Sequence, residues 1–250
     1  TEEESWLIQA CEKESYAPQW TSWLTKNLIP HGLTQVQMQG KAHIIWSWCS
    51  RGTEANQFYG GMSRIHRAFS LNIYKHTGFS PRAITKKTHD RILVAGYFKG
   101  TQRIFEFSTD RDALILIRST VLGVPGIDYG FVYLQKYNSI LTTSPSHILC
   151  LNADTGKQLW SFASVYEGEK CNFSCITQRS ETEQVFAADS RNGRVFELLV
   201  NAKGVTIISI IENHTIDKMY LKPRMVSWED VSASVVVYAD GKIKWFAFPC

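Results

Sequence analysis

The sequence predicts an all-β fold, a β-propeller of four-stranded antiparallel blades, about five to six of them, with a short N-terminal helical segment. Four segments share one pattern: "AITKKTHDRILVAGYFKGTQRIFEF" from Ala83, "VYLQKYNSILTTSPSHILCLN" from Val132, "CITQRSETEQVFAADSRNGRVFEL" from Cys175 and "MVSWEDVSASVVVYADGKIKWFAF" from Met225. Anchored on "ILVAGY", "SILTTS", "QVFAADS" and "SVVVYAD", successive copies start about 45 to 50 residues apart, near the period of propeller blades. Each copy alternates apolar and polar residues between short turns, and helical periodicity is almost absent from all four. Aromatic residues make up 12% of the 250-residue chain, which suits pleated sheets.

Taken in order, residues 1–30 form the helical or linker segment. Trp6, Leu7, Ala10 and Cys11 recur at helical spacing behind acidic residues, until Pro18 interrupts. The propeller follows over 31–250. "GLTQVQMQG", "AHIIWSWCS" and "RAFSLNIYKHTG" read as strands of a degenerate blade, and the repeats are clearest from about residue 79 to 250. In three copies a further turn and strand follow: "STDRDALILI", "NADTGKQLWSF" and "NAKGVTIISI". Their Asn, Asp and Gly residues stand where a chain reversal needs positive φ.

Composition narrows the classes. The net charge is +4 and no apolar run approaches the length of a membrane-spanning helix, so no membrane partner is expected. The chain begins at Thr1 without an initiator Met or signal-like segment, which suggests a piece of a longer or processed protein. Six cysteines (Cys11, Cys49, Cys150, Cys171, Cys175, Cys250) are sparse and irregular, unlike a disulfide framework, and favour a cytoplasmic location. Two sequons, at Asn172 and Asn213, leave secretion open.

"FSPRAITKKTHDRILVAGYFKGTQRIFEF" and "VFAADSRNGRVFEL" resemble NHL-type repeats, with a proline-led strand followed by an "R-[IV]-x-x-F" strand. "ILCLNADTGKQLWSF" resembles a quinoprotein-type blade ending, and the whole is similar to WD40-like propellers. The resemblance covers about residues 79 to 250. It implies a noncatalytic protein-binding scaffold, such as the C-terminal substrate-recognition module of a tripartite-motif ubiquitin ligase. Some NHL propellers bind RNA, and amidating lyases of the NHL-like class hold zinc with histidines from several blades. The resemblance therefore leaves two alternatives: RNA binding, and a metal-dependent secreted propeller enzyme.

The residues themselves show no P-loop, nucleophile elbow, H-E-x-x-H or EF-hand spacing, so no catalytic, cofactor or metal residue is assigned and no cofactor is expected. Thr155-Gly156-Lys157 reads as a hairpin turn, and Cys171 and Cys175 read as buried thiols rather than zinc ligands. The seven histidines are scattered. Charge is more informative. From Arg64 to Arg103 the bases Arg64, Arg67, Lys75, Arg82, Lys86, Lys87, Arg91, Lys99 and Arg103 face a single acid, Asp90, with Tyr74, Phe79, Tyr97 and Phe98 among them. Such a mixture could grip phosphates and stack bases, or it could be a solvated rim over blade core. The partner-binding candidates are Arg64, Arg67, Arg82, Lys86, Lys87 and Arg91, joined by Arg191 in "SRNGR" and Trp228 in the polar turn "SWEDVS". A protein partner is expected first, and RNA second.

Overall fold

The computed structural model describes residues 28–38, 41–51, 58–66, 69–109, 114–124, 131–144, 146–163, 165–178, 184–212, 224–228, 234–239 and 242–247. The expected N-terminal helix lies outside them. Apart from one 3-10 turn, Gln135–Tyr137, every element among them is a strand. The chain divides into two compact units, Thr1–Ser119 and Thr120–Cys250.

The first unit contains two four-stranded antiparallel sheets in simple up-and-down order. One is β1 (Leu28–Met38), β2 (Lys41–Arg51), β3 (Phe58–His66) and β4 (Phe69–Thr77). The other is β5 (Phe79–Thr88), β6 (Arg91–Phe98), β7 (Thr101–Ser108) and β8 (Ile115–Val121), the last reaching the division. β3 was not anticipated, because Gly60-Gly61 interrupts its alternation and weakens the strand signal.

The β6 run Ile92, Leu93, Val94, Ala95 is wholly buried, and so are Ile104, Phe105, Glu106 and Phe107 of β7. Both faces of this sheet are therefore covered, and the sequence is a continuous apolar run rather than a strict alternation. On one face Ile92, Val94, Phe105 and Phe107 pack with Phe79 and with Ile45 from β2. Phe79 meets Phe105 edge to face, with ring centroids 5.0 Å apart. Each such ring stabilises the fold by about 2 to 3 kcal/mol through apolar burial. Register explains Gly96: a Cβ there would lie 2.5 Å from the Ser80 carbonyl oxygen, where β5 bulges between Pro81 and Ala83. At the far end Lys99 (φ 49°) and Gly100 (φ 80°) turn β6 into β7.

The second unit repeats the four-stranded antiparallel sheet twice. β9 (Phe131–Leu134), β10 (Ser139–Ser144), β11 (His147–Asn152) and β12 (Gln158–Ala163) form one, and β15 (Phe173–Gln178), β16 (Gln184–Asp189), β17 (Arg194–Asn201) and β18 (Gly204–Glu212) the other. A small hairpin, β13 (Val165–Tyr166) and β14 (Glu169–Lys170), lies between them in sequence and was not expected; its two-residue strands are too short for any periodicity to register. β19 (Arg224–Trp228), β20 (Ser234–Ala239) and β21 (Lys242–Ala247) form a three-stranded sheet.

The joint between β11 and β12 is the stretch "NADTGK". Asn152 Oδ1 accepts the Asp154 and Thr155 amides at 3.0 and 2.9 Å, and the Gly156 amide donates to the Asn152 carbonyl at 2.9 Å. The side-chain oxygen thus mimics a backbone acceptor and closes the turn, which confirms the hairpin reading of Thr155-Gly156-Lys157. Leu141, Ile148, Cys150, Phe173, Val185 and Phe196 belong to one core that joins the two four-stranded sheets of this unit. Four-stranded antiparallel sheets in sequence order are the blades the repeats predicted.

Candidate functional site

Two carboxylates are sealed into strands, one in each unit, and each organises a polar centre. In the first unit Glu106 sits in β7, 2% exposed, at the Thr88–Arg91 end of its sheet. Lys87 Nζ donates to both of its oxygens at 3.0 Å, Arg91 to Oε1 at 3.0 Å and Arg118 Nε to Oε2 at 2.6 Å. Burial by itself would raise this carboxyl, but Arg91, Lys87 and Arg118 outweigh it and hold the group below the ordinary carboxylate range. Beside it Thr88 Oγ1 donates to Asp90 Oδ1 at 2.6 Å, the main cause of the lowered Asp90 carboxyl.

In the second unit Asp189 ends β16 with no exposed surface. Its Oδ1 accepts the amides of Asn172 and Arg191 at 2.8 and 3.0 Å, and its Oδ2 accepts from Asn192 at 2.8 Å and Arg194 at 3.2 Å. Burial raises this carboxyl too, and those donors again overcome it. Arg194, 5% exposed, also donates to Glu169 at 3.1 Å and lies over the rings of Tyr166 and Phe196, at 5.6 and 5.4 Å, which themselves meet edge to face. Arg194 thereby ties the β13–β14 hairpin to β17. The neighbouring Cys171 thiol is pushed up to about 11, by burial first and by the Asp189 charge second. It stays protonated and is no nucleophile at neutral pH.

These saturated carboxylates cannot serve as general bases, since their lone pairs are filled. A different pair has acid-base potential: Ser146 Oγ lies 2.9 Å from His147 Nδ1, at the turn between β10 and β11. Among the described residues no three His, Cys, Asp or Glu side chains come together as a metal-binding group.

The expected partner-binding residues scatter. Arg64 falls in β3, and Arg67 lies outside the described residues. Arg82 packs its guanidinium 5.8 Å from the Tyr97 ring, and Lys86 is exposed. Lys87 and Arg91, central to the RNA reading, direct their charge onto Glu106, an acid just beyond the 64–103 window. The count of nine bases against one acid thus overstated the field of this blade. Arg191 is exposed, while its amide helps to cap Asp189. Trp228 is the last residue of β19, paired with Ser234, and not a turn residue as expected. Sequence reading missed Glu106, Asp189 and Arg194. The available signals were an acid inside the apolar run "RIFEF" and an Asp closing "VFAAD" immediately before the "SRNG" turn.

No family model matches the chain, and no curated protein matches it either. Solved structures do. The periplasmic gluconolactonase PpgL of Pseudomonas aeruginosa aligns with a TM-score of 0.51 at 9% identity, over 86% of this chain and 70% of that one. A gluconolactonase from Xanthomonas campestris aligns with a TM-score of 0.44 at 16% identity, over 63% and 53%. TolB from Acinetobacter baumannii aligns at 0.48 and 14%, over 87% and 53%. The chain spans about half the length of the latter two, 53% of each. The likeness shows a β-propeller-like fold, and does not single out NHL or WD40 propellers. It also overturns the expectation of a noncatalytic scaffold without enzymatic activity. That expectation was drawn from fold class, and the fold is shared with a protein named as a gluconolactonase.

Proposed function

We propose that the chain is a hydrolytic propeller that opens small cyclic esters, of the lactonase kind, in a secreted or periplasmic setting. The observation that carries this reading is the likeness to the periplasmic gluconolactonase over 86% of the chain. The sequons at Asn172 and Asn213 agree with a secretory route. Lactone opening requires water to attack a ring carbonyl, a base to take the water's proton and a donor to the developing oxyanion. His147, with Ser146 within hydrogen-bond reach, is the acid-base group we assign to that task. Glu106 and Asp189, whose oxygens are taken up by donors within their own blades, take no part.

The test is titrimetric. Glucono-1,5-lactone is added to the protein at a pH near 6.5, where spontaneous opening is slow, and acid release is followed with and without chelator and added divalent cations. The expected result is a rate above the protein-free blank that falls at least about tenfold in His147→Ala. A rate equal to the blank under every metal condition removes the reading. Loss of activity with chelator alone would show a metal requirement that the described residues do not assign.

A further inference from the structure

The two ends of the β5–β8 sheet treat their bases differently. At the Thr88–Arg91 end the cations converge on Glu106. At the other end, where Lys99 and Gly100 turn β6 into β7, Lys99 and Arg103 have no carboxylate partner among the described residues. Arg103 Nη1 donates to Ser119 Oγ at 3.0 Å, while its Nε is buried without an acceptor among the described residues, a state it shares with Arg82 Nε. Folded proteins rarely leave a buried donor in that state without a bound water or ion to account for it. Nε and the adjacent terminal nitrogen form the side edge of the guanidinium, a fork that matches two oxygens of a carboxylate or phosphate.

Strand alternation decides which groups share a face. Gly96 pairs with Arg103 and Phe98 with Thr101, so Phe98 and Arg103 stand on one face, two positions apart, about 7 Å along the strand. Lys99 Nζ lies 5.6 Å above the Phe98 ring and so belongs to the same side. Tyr97, with Arg82 against it, stands on the opposite face.

We infer that Arg103 and Lys99 form an oxyanion site at this end of the sheet, which takes the phosphate or carboxylate group of a small ligand. The side edge of Arg103 meets two ligand oxygens after a rotation that brings the covered Nε outward. Lys99 neutralises the remaining charge, and the Phe98 ring forms the floor. Ser119 is a positioning residue that holds the other guanidinium nitrogen. Arg82 has the same charge and a buried Nε as well, but its guanidinium lies over the Tyr97 ring on the other face, away from Phe98 and Lys99, and it takes no part.

The inference does not depend on the hydrolase reading, because binding is measured without turnover. Calorimetric titrations with methyl phosphate and, separately, acetate are run at constant ionic strength. Saturable binding of at least one is expected, and the stronger of the two identifies the ligand group. Arg103→Gln should weaken it at least about tenfold, Arg103→Lys by a similar factor because the fork is lost while the charge stays, and Lys99→Gln about threefold. Arg82→Gln should stay within about twofold of the parent. Circular dichroism melts of all four variants show that each is folded. Absence of saturable binding to either anion overturns the site. So does an Arg82→Gln loss equal to that of Arg103→Gln, which would reduce the effect to a diffuse positive field.

Discussion

Glu106 and Asp189 are both carboxylates enclosed in the strands of a blade, yet they stay ionised through different kinds of partner. Glu106 is surrounded by three side-chain cations, of which Arg91 and Arg118 are 43% and 34% exposed. Asp189 is held by two backbone amides, an asparagine and an arginine 5% exposed. The first arrangement is a matter of charge, open to solvent and salt. The second is a matter of geometry, since amides at a turn cannot move away without unmaking the turn. Blades of the same strand order can therefore close their hairpins by two physical routes.

The largest expected effect separates them directly. Asp189→Ala removes the acceptor of four donors and leaves Arg194 as a buried, underpaired charge, which should cost about 3 to 5 kcal/mol, read by urea denaturation. A loss below about 1 kcal/mol would mean that water replaces the carboxylate, and the two centres would then be alike.

Acid comes next. Both carboxyls titrate below their ordinary values in the folded chain, so each contributes stability that is complete above the ordinary carboxylate range and is lost as pH falls through its lowered folded value. A stability profile should be flat from about pH 7 to 5 in these groups and should decline below about pH 4. Asp189→Asn should flatten that decline, whereas a decline that persists unchanged would place the acid sensitivity elsewhere.

The smallest effect sharpens the contrast. Arg91→Gln removes one of three cations around Glu106, and that cation is 43% exposed, so the cost should be below about 1 kcal/mol and should vanish in about 1 M salt. An effect as large as that of Asp189→Ala would show that the Glu106 centre is as rigidly built as the other.

Much of the architecture was legible in the residues. The spacing of "ILVAGY", "SILTTS" and "QVFAADS" located three blades, because side chains that alternate in and out of a sheet leave a period of two in the chain itself. The turn at "NADTG" was legible for the same local reason: Asn152 bonds to amides only two and three residues away. β3 and the β13–β14 hairpin were not, one for its glycine pair and the other for its brevity. The polar centres were less legible still. Nothing in the 64–103 window announced that Lys87 and Arg91 would meet Glu106, and Trp228 looked like a loop residue because acids follow it directly.

By itself the sequence determined the strands, most of their turns and the antiparallel order of the blades, since hydrophobic alternation and turn chemistry act over a few residues. The tertiary structure alone decided which charges meet. Glu106 lies 19 residues from Lys87 and 15 from Arg91, and Arg194 lies 25 from Glu169. Those separations are bridged by strand register and by bulges such as the one between Pro81 and Ala83, which settle the face and height at which each side chain emerges.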